Sequence, residues 1–319
     1  NKAKLFVNSP NALEGNDASK CDTASAKFQS EEVGNVDVVA EEAELITKIR
    51  DLVSLLPANN EDDLSYMDCE DDLNRVCADL EASAADPAIT LPMISDSGIF
   101  FETKAEYGKD MVTGFIKLNG TTVGAVANRS TLYDEDGNAV EEFNAEISAR
   151  GCEKAAKFVE FCDAFNIPVL TLTNAAGFKA TKCSEKKMAA AAAALTYAFA
   201  EATVPKVNVV VGKAYGSAYV TMNSKGLGAD VVYAWPNAKI GMMGAKLAVK
   251  VMYPEADAKE LREKEAAYAE LQNSVASAAK RGYVDSVIEA QDTRKYVIGA
   301  FEMLYTKRED RPFKKHGTV

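Results

Sequence analysis

Histidine is nearly missing from this chain: His316, fourth from the end, is the only one in 319 residues. A Ser-His-Asp triad, a Cys-His dyad, a histidine general base or a His-rich metal site would each have to recruit it from a chain terminus, where order is poorest. An enzyme of this sequence is expected to work without histidine, and no metal ligand set is read from it. The six cysteines (Cys21, Cys69, Cys77, Cys152, Cys162 and Cys183) are scattered, with no C-x-x-C pair. That spacing argues against a zinc ribbon or a disulfide framework, and reads as reduced thiols of a cytoplasmic protein. No apolar run approaches bilayer length, and the longest, residues 188–195, is mostly alanine. Basic residues are in deficit: 36 Lys and Arg against 48 Asp and Glu give a net charge of −12, a surface that repels nucleic acid and anionic lipid. The chain opens without methionine or a charged-then-apolar leader, and reads as a fragment of a longer protein.

What is present is the balance of a globular protein, 47% hydrophobic and 26% charged, with length for about two folding units. Strand-like 5–7 comes first, then a helical stripe over 41–56 carried by Leu45, Ile46, Ile49, Leu52, Val53 and Leu56. Pro57 stops it, and residues 58–90 read as a solvated acidic linker with some helix. From residue 91 strand and helix patterns alternate. Strands are expected at 99–103 and 113–118, with Asn119-Gly120 as a two-residue hairpin turn into 122–128. A polar loop follows over 129–142. Helices are expected at 152–165, at 184–203 with Ser184 as cap, at 217–223, at 256–280 and at 292–305. Further strands are expected at 167–173, 207–211, 230–234, 239–243 and 284–288. Strands joined by helices imply parallel pairing and an α/β core.

Two segments place glycine where a buried strand hands over to a helix: Asn174-Ala175-Ala176-Gly177-Phe178, and Lys213-Ala214-Tyr215-Gly216-Ser217-Ala218-Tyr219. Small residues let backbone approach a ligand, and the next helix presents unpaired N–H groups. Side by side, two such ends would offer amides to one oxygen and stabilise an enolate without an ionisable side chain. Either glycine alone is equally explained as a tight turn. Neither GxxxxGK[ST] nor GxGxxG occurs, so spacing alone gives an α/β domain, with anion binding left as an open alternative.

The wording around these junctions is more specific. The segments 198–207, 213–219, 234–244, 161–168 and Arg281-Gly282-Tyr283-Val284-Asp285, with Lys315-His316-Gly317 at the end, resemble in order and spacing the C-terminal half of biotin-dependent acyl-CoA carboxyltransferases. The resemblance implies a ClpP/crotonase-like superhelix of ββα units. Residues 1–57 are similar to the tail of the family's N-terminal subdomain, and residues 91–319 to its biotin-side domain. It implies carboxybiotin on a biotin carboxyl carrier protein as cofactor, and a short CoA thioester (acetyl-, propionyl- or methylmalonyl-CoA) as substrate. It also implies a homo-oligomer, dimer or trimer of dimers, with membrane decarboxylase subunits as further partners. Two oxyanion holes would hold the enolates while biotin N1 exchanges the α-proton. On this sequence the matching amides are those of Gly177 or Phe178 and of Ser217 or Ala218. Ala176, Tyr215, Gly216, Tyr219, Val220 and Met242 would bind the cofactor, with Val220 at a position that varies with acyl preference.

The chain departs from the family pattern at three places. Asp-Val-Pro-Gly-Phe becomes Asn174-Ala175-Ala176-Gly177-Phe178, a paired glycine becomes Gly216-Ser217, and an Arg-His-Gly falls within the alanines of 188–194. A substituted residue still donates its backbone N–H. A fragment lacking the acyl-CoA half is expected to be inactive alone. Two rivals stay open. Another crotonase-like reaction would need a carboxylate on the helix at 217–223, which has none; a degenerate scaffold or dimerisation domain would fit the departures. Elsewhere, Trp235 reads as core and Cys183 as an inert thiol. The clusters at 61–63 and 70–72 read as solvated carboxylates, and Lys206 and Lys213 as cations that could attract a phosphate or carboxylate.

Overall fold

The computed structural model describes residues 2–62 and 68–310; His316 and the closing Lys315-His316-Gly317 lie outside the described residues. Twelve strands are found among the described residues: β1 (Phe100–Thr103), β2 (Met111–Leu118), β3 (Thr121–Asn128), β4 (Thr131–Tyr133), β5 (Ala139–Glu142), β6 (Glu146–Ile147), β7 (Val169–Ala175), β8 (Gly177–Phe178), β9 (Lys206–Tyr215), β10 (Val231–Ala234), β11 (Lys239–Gly241) and β12 (Ser286–Val287). The main sheet runs β1-β2-β3-β7-β9-β10-β12, with β11 also paired to β9. The β1-β2-β3 meander is antiparallel, and every pairing from β3 onward is parallel. The meander follows from its turn: Asn119 (φ 50) and Gly120 (φ 74) take the left-handed conformations that a tight hairpin demands. The parallel part follows from the helices between its strands.

Helix Ala149–Ala164 packs on helix Lys182–Glu201 and on β2 and β3, burying Phe115, Phe158, Val159 and Leu195. The opposite face of the sheet is covered by helices Pro87–Ile94 and Thr293–Leu304. Polar alternation is absent because both faces are covered, as parallel sheets require.

Several expected elements move. Helix 184–203 starts earlier, because Thr181 is the cap: its hydroxyl accepts from Ser184 N–H at 3.1 Å, and Ser184 Oγ accepts from Thr181 N–H at 2.9 Å. The long helix expected at 256–280 is three pieces: Ala258–Tyr268, a π turn Ala269–Asn273, and Val275–Lys280 restarted by an extended Ser274 cap. Residues 5–7 make no strand; Leu5 N–H bonds Ala24 O and the side chains stay largely exposed. The loop at 129–142 contains the β4–β5 hairpin, turning at Asp136-Gly137. Helices Pro87–Ile94 and Ala245–Met252 were not expected, although Asp86-Pro87 carries a cap-then-proline signal.

The stretch read as a solvated linker is tied down where it is described. Arg75 bonds Asp71 through two nitrogens, at 2.9 and 3.0 Å, and reaches Met93 O and Ser95 O. Cys77, Leu80 and Leu91 are buried in the core. The Asp71 carboxylate therefore works as a partner of cations, while the exposed Asp72 carboxylate accepts from Asn74 N–H at 2.9 Å.

Beneath helix Ala149–Ala164, Lys154 is buried with its ammonium on Met111 O at 2.7 Å. Burial is the main cause that pulls its pKa down to about 8; the Glu102 carboxylate opposes this and Arg129 adds to it. Below pH 8 both native and unfolded chains hold the proton, so the burial penalty is full. Between pH 8 and the unfolded value near 10.4 the native chain gives up its proton first, and stability rises. Lys154→Met is expected to remove this rise. Urea midpoints measured from pH 7.5 to 10 on both proteins check it, and parallel curves would refute it.

Candidate functional site

The two glycine junctions belong to neighbouring parallel strands, β7 and β9, and leave the sheet at the same end. Near that end the pairing shifts between Thr173 and Ala175, so that Ala175 faces Ala214. Asn174 occupies this irregularity. Its Oδ1 accepts from Lys213 N–H at 2.9 Å, its own N–H donates to Asn128 Oδ1 at 2.7 Å, and Asn128 Nδ2 donates to Asn174 O. Glycine is needed at 212, where a Cβ would come 2.5 Å from Asn174 Oδ1.

Past Ala175 the chain continues as β8, paired in parallel with β6. Ala176 N–H bonds Ala145 O at 2.7 Å, and Lys179 N–H bonds Ile147 O at 2.9 Å. The register sets Phe178 beside Ile147 while Ile147 O accepts from Lys179, so the intervening Phe178 N–H points away from β6. Past Tyr215, Gly216 turns with φ +56 into helix Gly216–Thr221. A Cβ there would meet Met242 O at 2.9 Å, which accounts for glycine. The first-turn N–H groups of that helix, Ser217 and Ala218 among them, have no intrahelical acceptor. The helix lies against β8. Amides of Phe178 and of Ser217 and Ala218 therefore sit on adjoining elements.

Side chains around these amides vary in fit. Ser217 is exposed, and its hydroxyl has no hydrogen-bond partner among the described residues. Val220, one turn on, is 45% exposed, and Met242 is 78% exposed. Ala176 and Tyr215 are half-buried; burial raises the Tyr215 phenol, which stays neutral. Tyr219 is a correction. It faces away from the junctions into a core of Val210, Val232, Ile240, Ala278 and Val284. Its position follows from the helix, on which 217 and 220 share the exposed side while 218 and 219 turn inward. Burial first, then Tyr283 and Asp285, push its phenol up to about 12.

Lys206 is also corrected. Its side chain is buried, with Nζ on Phe199 O at 2.7 Å and Ala202 O at 3.0 Å, so it is not offered to an anion. Trp235 is core as expected, its Nε1 donating to Thr293 Oγ1 at 2.9 Å. A cleft of about 1070 Å3, lined by Leu118, Asn119, Pro168, Pro205 and Phe301, opens at the other end of the parallel strands, away from both junctions.

Sequence reasoning treated Asn174 only as a lost acid. The bond it makes to Lys213 N–H needs an oxygen acceptor, which aspartate also supplies. Asn174→Asp is thus expected to keep stability within about 1 kcal/mol. Asn174→Leu should cost about 1–3 kcal/mol by leaving Lys213 N–H and the irregular pairing without support. Thermal unfolding of both variants tests this, and equal losses would contradict it.

The carboxyl transferase domain model matches residues 2–319. The methylmalonyl-CoA carboxyltransferase 12S subunit of Propionibacterium freudenreichii subsp. shermanii is 37% identical over 335 residues, covering 99% of this chain and 62% of that protein. The methylmalonyl-CoA decarboxylase subunit alpha of Propionigenium modestum is 38% identical over 294 residues, 86% of this chain and 54% of the relative. Among solved structures, the transcarboxylase 12S hexamer with hydrolysed methylmalonyl-coenzyme A bound superposes with a TM-score of 0.90 at 36% identity, over 99% of this chain and 62% of the other. The β subunit of P. aeruginosa geranyl-CoA carboxylase, at 24% identity and a TM-score of 0.63, shares the fold. This chain thus spans about three-fifths of the length of such relatives. Its α/β architecture is the crotonase-like fold of those structures. With the family model matching residues 2–319 and relatives sharing both sequence and fold, this chain belongs to the carboxyl transferase domain family.

Proposed function

We propose that this chain is the biotin-side part of a carboxyltransferase that moves a carboxyl group between carboxybiotin on a carrier protein and a short acyl-CoA. Propionyl-CoA and methylmalonyl-CoA fit the names of its relatives, in the direction of carboxylation or of decarboxylation. The observation that carries the reading is the adjacency of helix Gly216–Thr221 and β8, with backbone N–H groups as the available donors.

The surroundings fit a cyclic urea. Ser217 leaves its amide accessible, Val220 and Met242 supply exposed apolar surface, and Tyr215 stays neutral. Carboxybiotin, when bound, supplies the activated carboxyl group. The amides of Phe178 or Gly177 and of Ser217 or Ala218 hold the negative charge that grows on the ureido oxygen. Fixed peptide dipoles need no reorganisation at that moment, which makes them effective donors. Gly216, with φ +56, sets the angle at which the helix presents them, and the nearby Met242 carbonyl leaves no room for a side chain there. Partners follow from the same reading: a biotin carboxyl carrier protein, a second copy in a dimer or trimer of dimers, and membrane subunits if the enzyme decarboxylates.

The test is transfer of 14C from methylmalonyl-CoA or malonyl-CoA to free biotin by the full-length protein. Label in biotin supports the reading. A stable oligomer that moves none would favour a scaffold instead.

A further inference from the structure

Three uncharged polar side chains lie fully buried in the two central parallel strands, where apolar residues are the rule: Thr171 and Thr173 on β7, and Asn208 on β9. Asn208 and Thr173 converge on one feature, the C-terminal end of helix Gly216–Thr221. Thr173 Oγ1 donates to Asn208 Oδ1 at 2.8 Å. Asn208 Nδ2 then donates to Met222 O at 3.2 Å and to Asn223 O at 3.0 Å. Asn223, left-handed at φ 53, donates its own Nδ2 to Thr171 Oγ1 at 3.2 Å.

A helix of six residues is too short to hold its own direction. The two carbonyls just past its end, of Met222 and Asn223, also point into a buried site, where an unpaired acceptor is costly. Asn208 meets both needs. Through Thr173 it also ties the helix to the strand that leads, four residues on, to Gly177. The same amide side chain thereby links the two junctions.

We infer that Asn208 is a positioning residue: it sets the orientation of the helix whose first turn carries the Ser217 and Ala218 amides, relative to β7 and β8. It touches neither substrate nor cofactor and acts through the carbonyls of residues 222 and 223. The kinetic consequence rests on the proposed carboxyl transfer; the structural one does not.

The test uses full-length protein carrying Asn208→Leu, Asn208→Asp, Asn208→Ser or Thr173→Val. Leucine removes both amide functions at similar volume. Aspartate keeps the acceptor for Thr173 but turns an oxygen on two carbonyls. Serine restores a hydroxyl donor. For Leu and Asp, kcat for transfer to free biotin is expected to fall about 10- to 100-fold, the range for outer supports of a site. KM for the acyl-CoA should stay within about threefold, because that half of the site is not supported from here. Asn208→Ser should recover part of the loss. Amide hydrogen exchange over residues 215–224 should accelerate in the Leu variant while β2 and β3 stay protected. Thr173→Val, nearly isosteric, should give the same pattern in milder form if Asn208→Leu folds poorly. Unchanged turnover per folded molecule in both Asn208→Leu and Thr173→Val would overturn the inference, as would exchange that accelerates evenly across the sheet. A wild-type protein that transfers no carboxyl group would overturn the proposed reaction, and the exchange pattern would then decide this inference alone.

Discussion

Ser217→Pro is expected to lower carboxyl transfer to biotin about 10²- to 10³-fold, the usual cost of deleting one oxyanion donor. Proline deletes the N–H and little else here. Position 217 lies in the first turn of helix Gly216–Thr221, where no intrahelical bond is lost and proline's φ is already helical. The preceding residue is Gly216, which tolerates the restriction proline places on its neighbour. Ser217→Ala is the control. The hydroxyl is exposed and without a hydrogen-bond partner among the described residues, so turnover should stay within about twofold, well short of a lost hydrogen bond. The measurement is 14C transfer from methylmalonyl-CoA to free biotin by the full-length protein, with thermal unfolding alongside. A proline variant with native turnover, or an alanine variant as impaired as the proline one, would sink the assignment of the Ser217 amide.

Arg294→Met should cost about 3–5 kcal/mol of unfolding free energy, because it leaves a buried carboxylate without its cation. Arg294 has no exposed surface, and its guanidinium reaches two distant segments at once, residues 94–96 and Asp72. Nη2 bonds Asp96 Oδ1 at 2.6 Å, Nη1 bonds Ile94 O at 2.7 Å, and Nε bonds Asp72 O at 3.3 Å. Asp96, buried as well, accepts from Asn119 N–H at 3.2 Å and Gly120 N–H at 2.7 Å, fixing the turn of the β2–β3 hairpin. Arg294→Lys should recover a minor part, since an ammonium cannot reproduce the planar fork. Urea denaturation monitored by Trp235 fluorescence measures the loss, and a change under about 1 kcal/mol, the scale of an exposed pair, would refute the account.

Much of the fold could be read from local chemistry. Asn119-Gly120 announced its hairpin, and the alanine-rich stretch its helix. The alternation of helix and strand announced the parallel sheet. Errors arose where a distant contact overrode the local pattern. Residues 256–280 carry an unbroken charged helical pattern, yet Asn273 is drawn inward to donate to Met243 O at 3.0 Å, and the helix breaks beside it. Residues 70–72 look like a solvated acidic run. Arg75 and Arg294, the latter over two hundred residues away, turn Asp71 into an ion-pair partner. Its carboxyl is held below the usual range, by the Arg75 hydrogen bonds first. The stability it adds is complete above the ordinary pKa near 3.9, and is lost as pH falls through the lower native value.

By itself the sequence determined the kinds of element, the family, and the two places where glycine ends a strand, because propensity, turn chemistry and wording are local properties. The tertiary structure decided that those two places adjoin, that Tyr219 turns into the core while Ser217 and Val220 face out, and that Asn208, an uncharged polar residue buried in a largely apolar strand, holds the helix end. Each of these depends on which strands become neighbours. Pairing of β7 with β9 across an intervening helix of 20 residues is set by the packing of the whole sheet, not by any window of the chain.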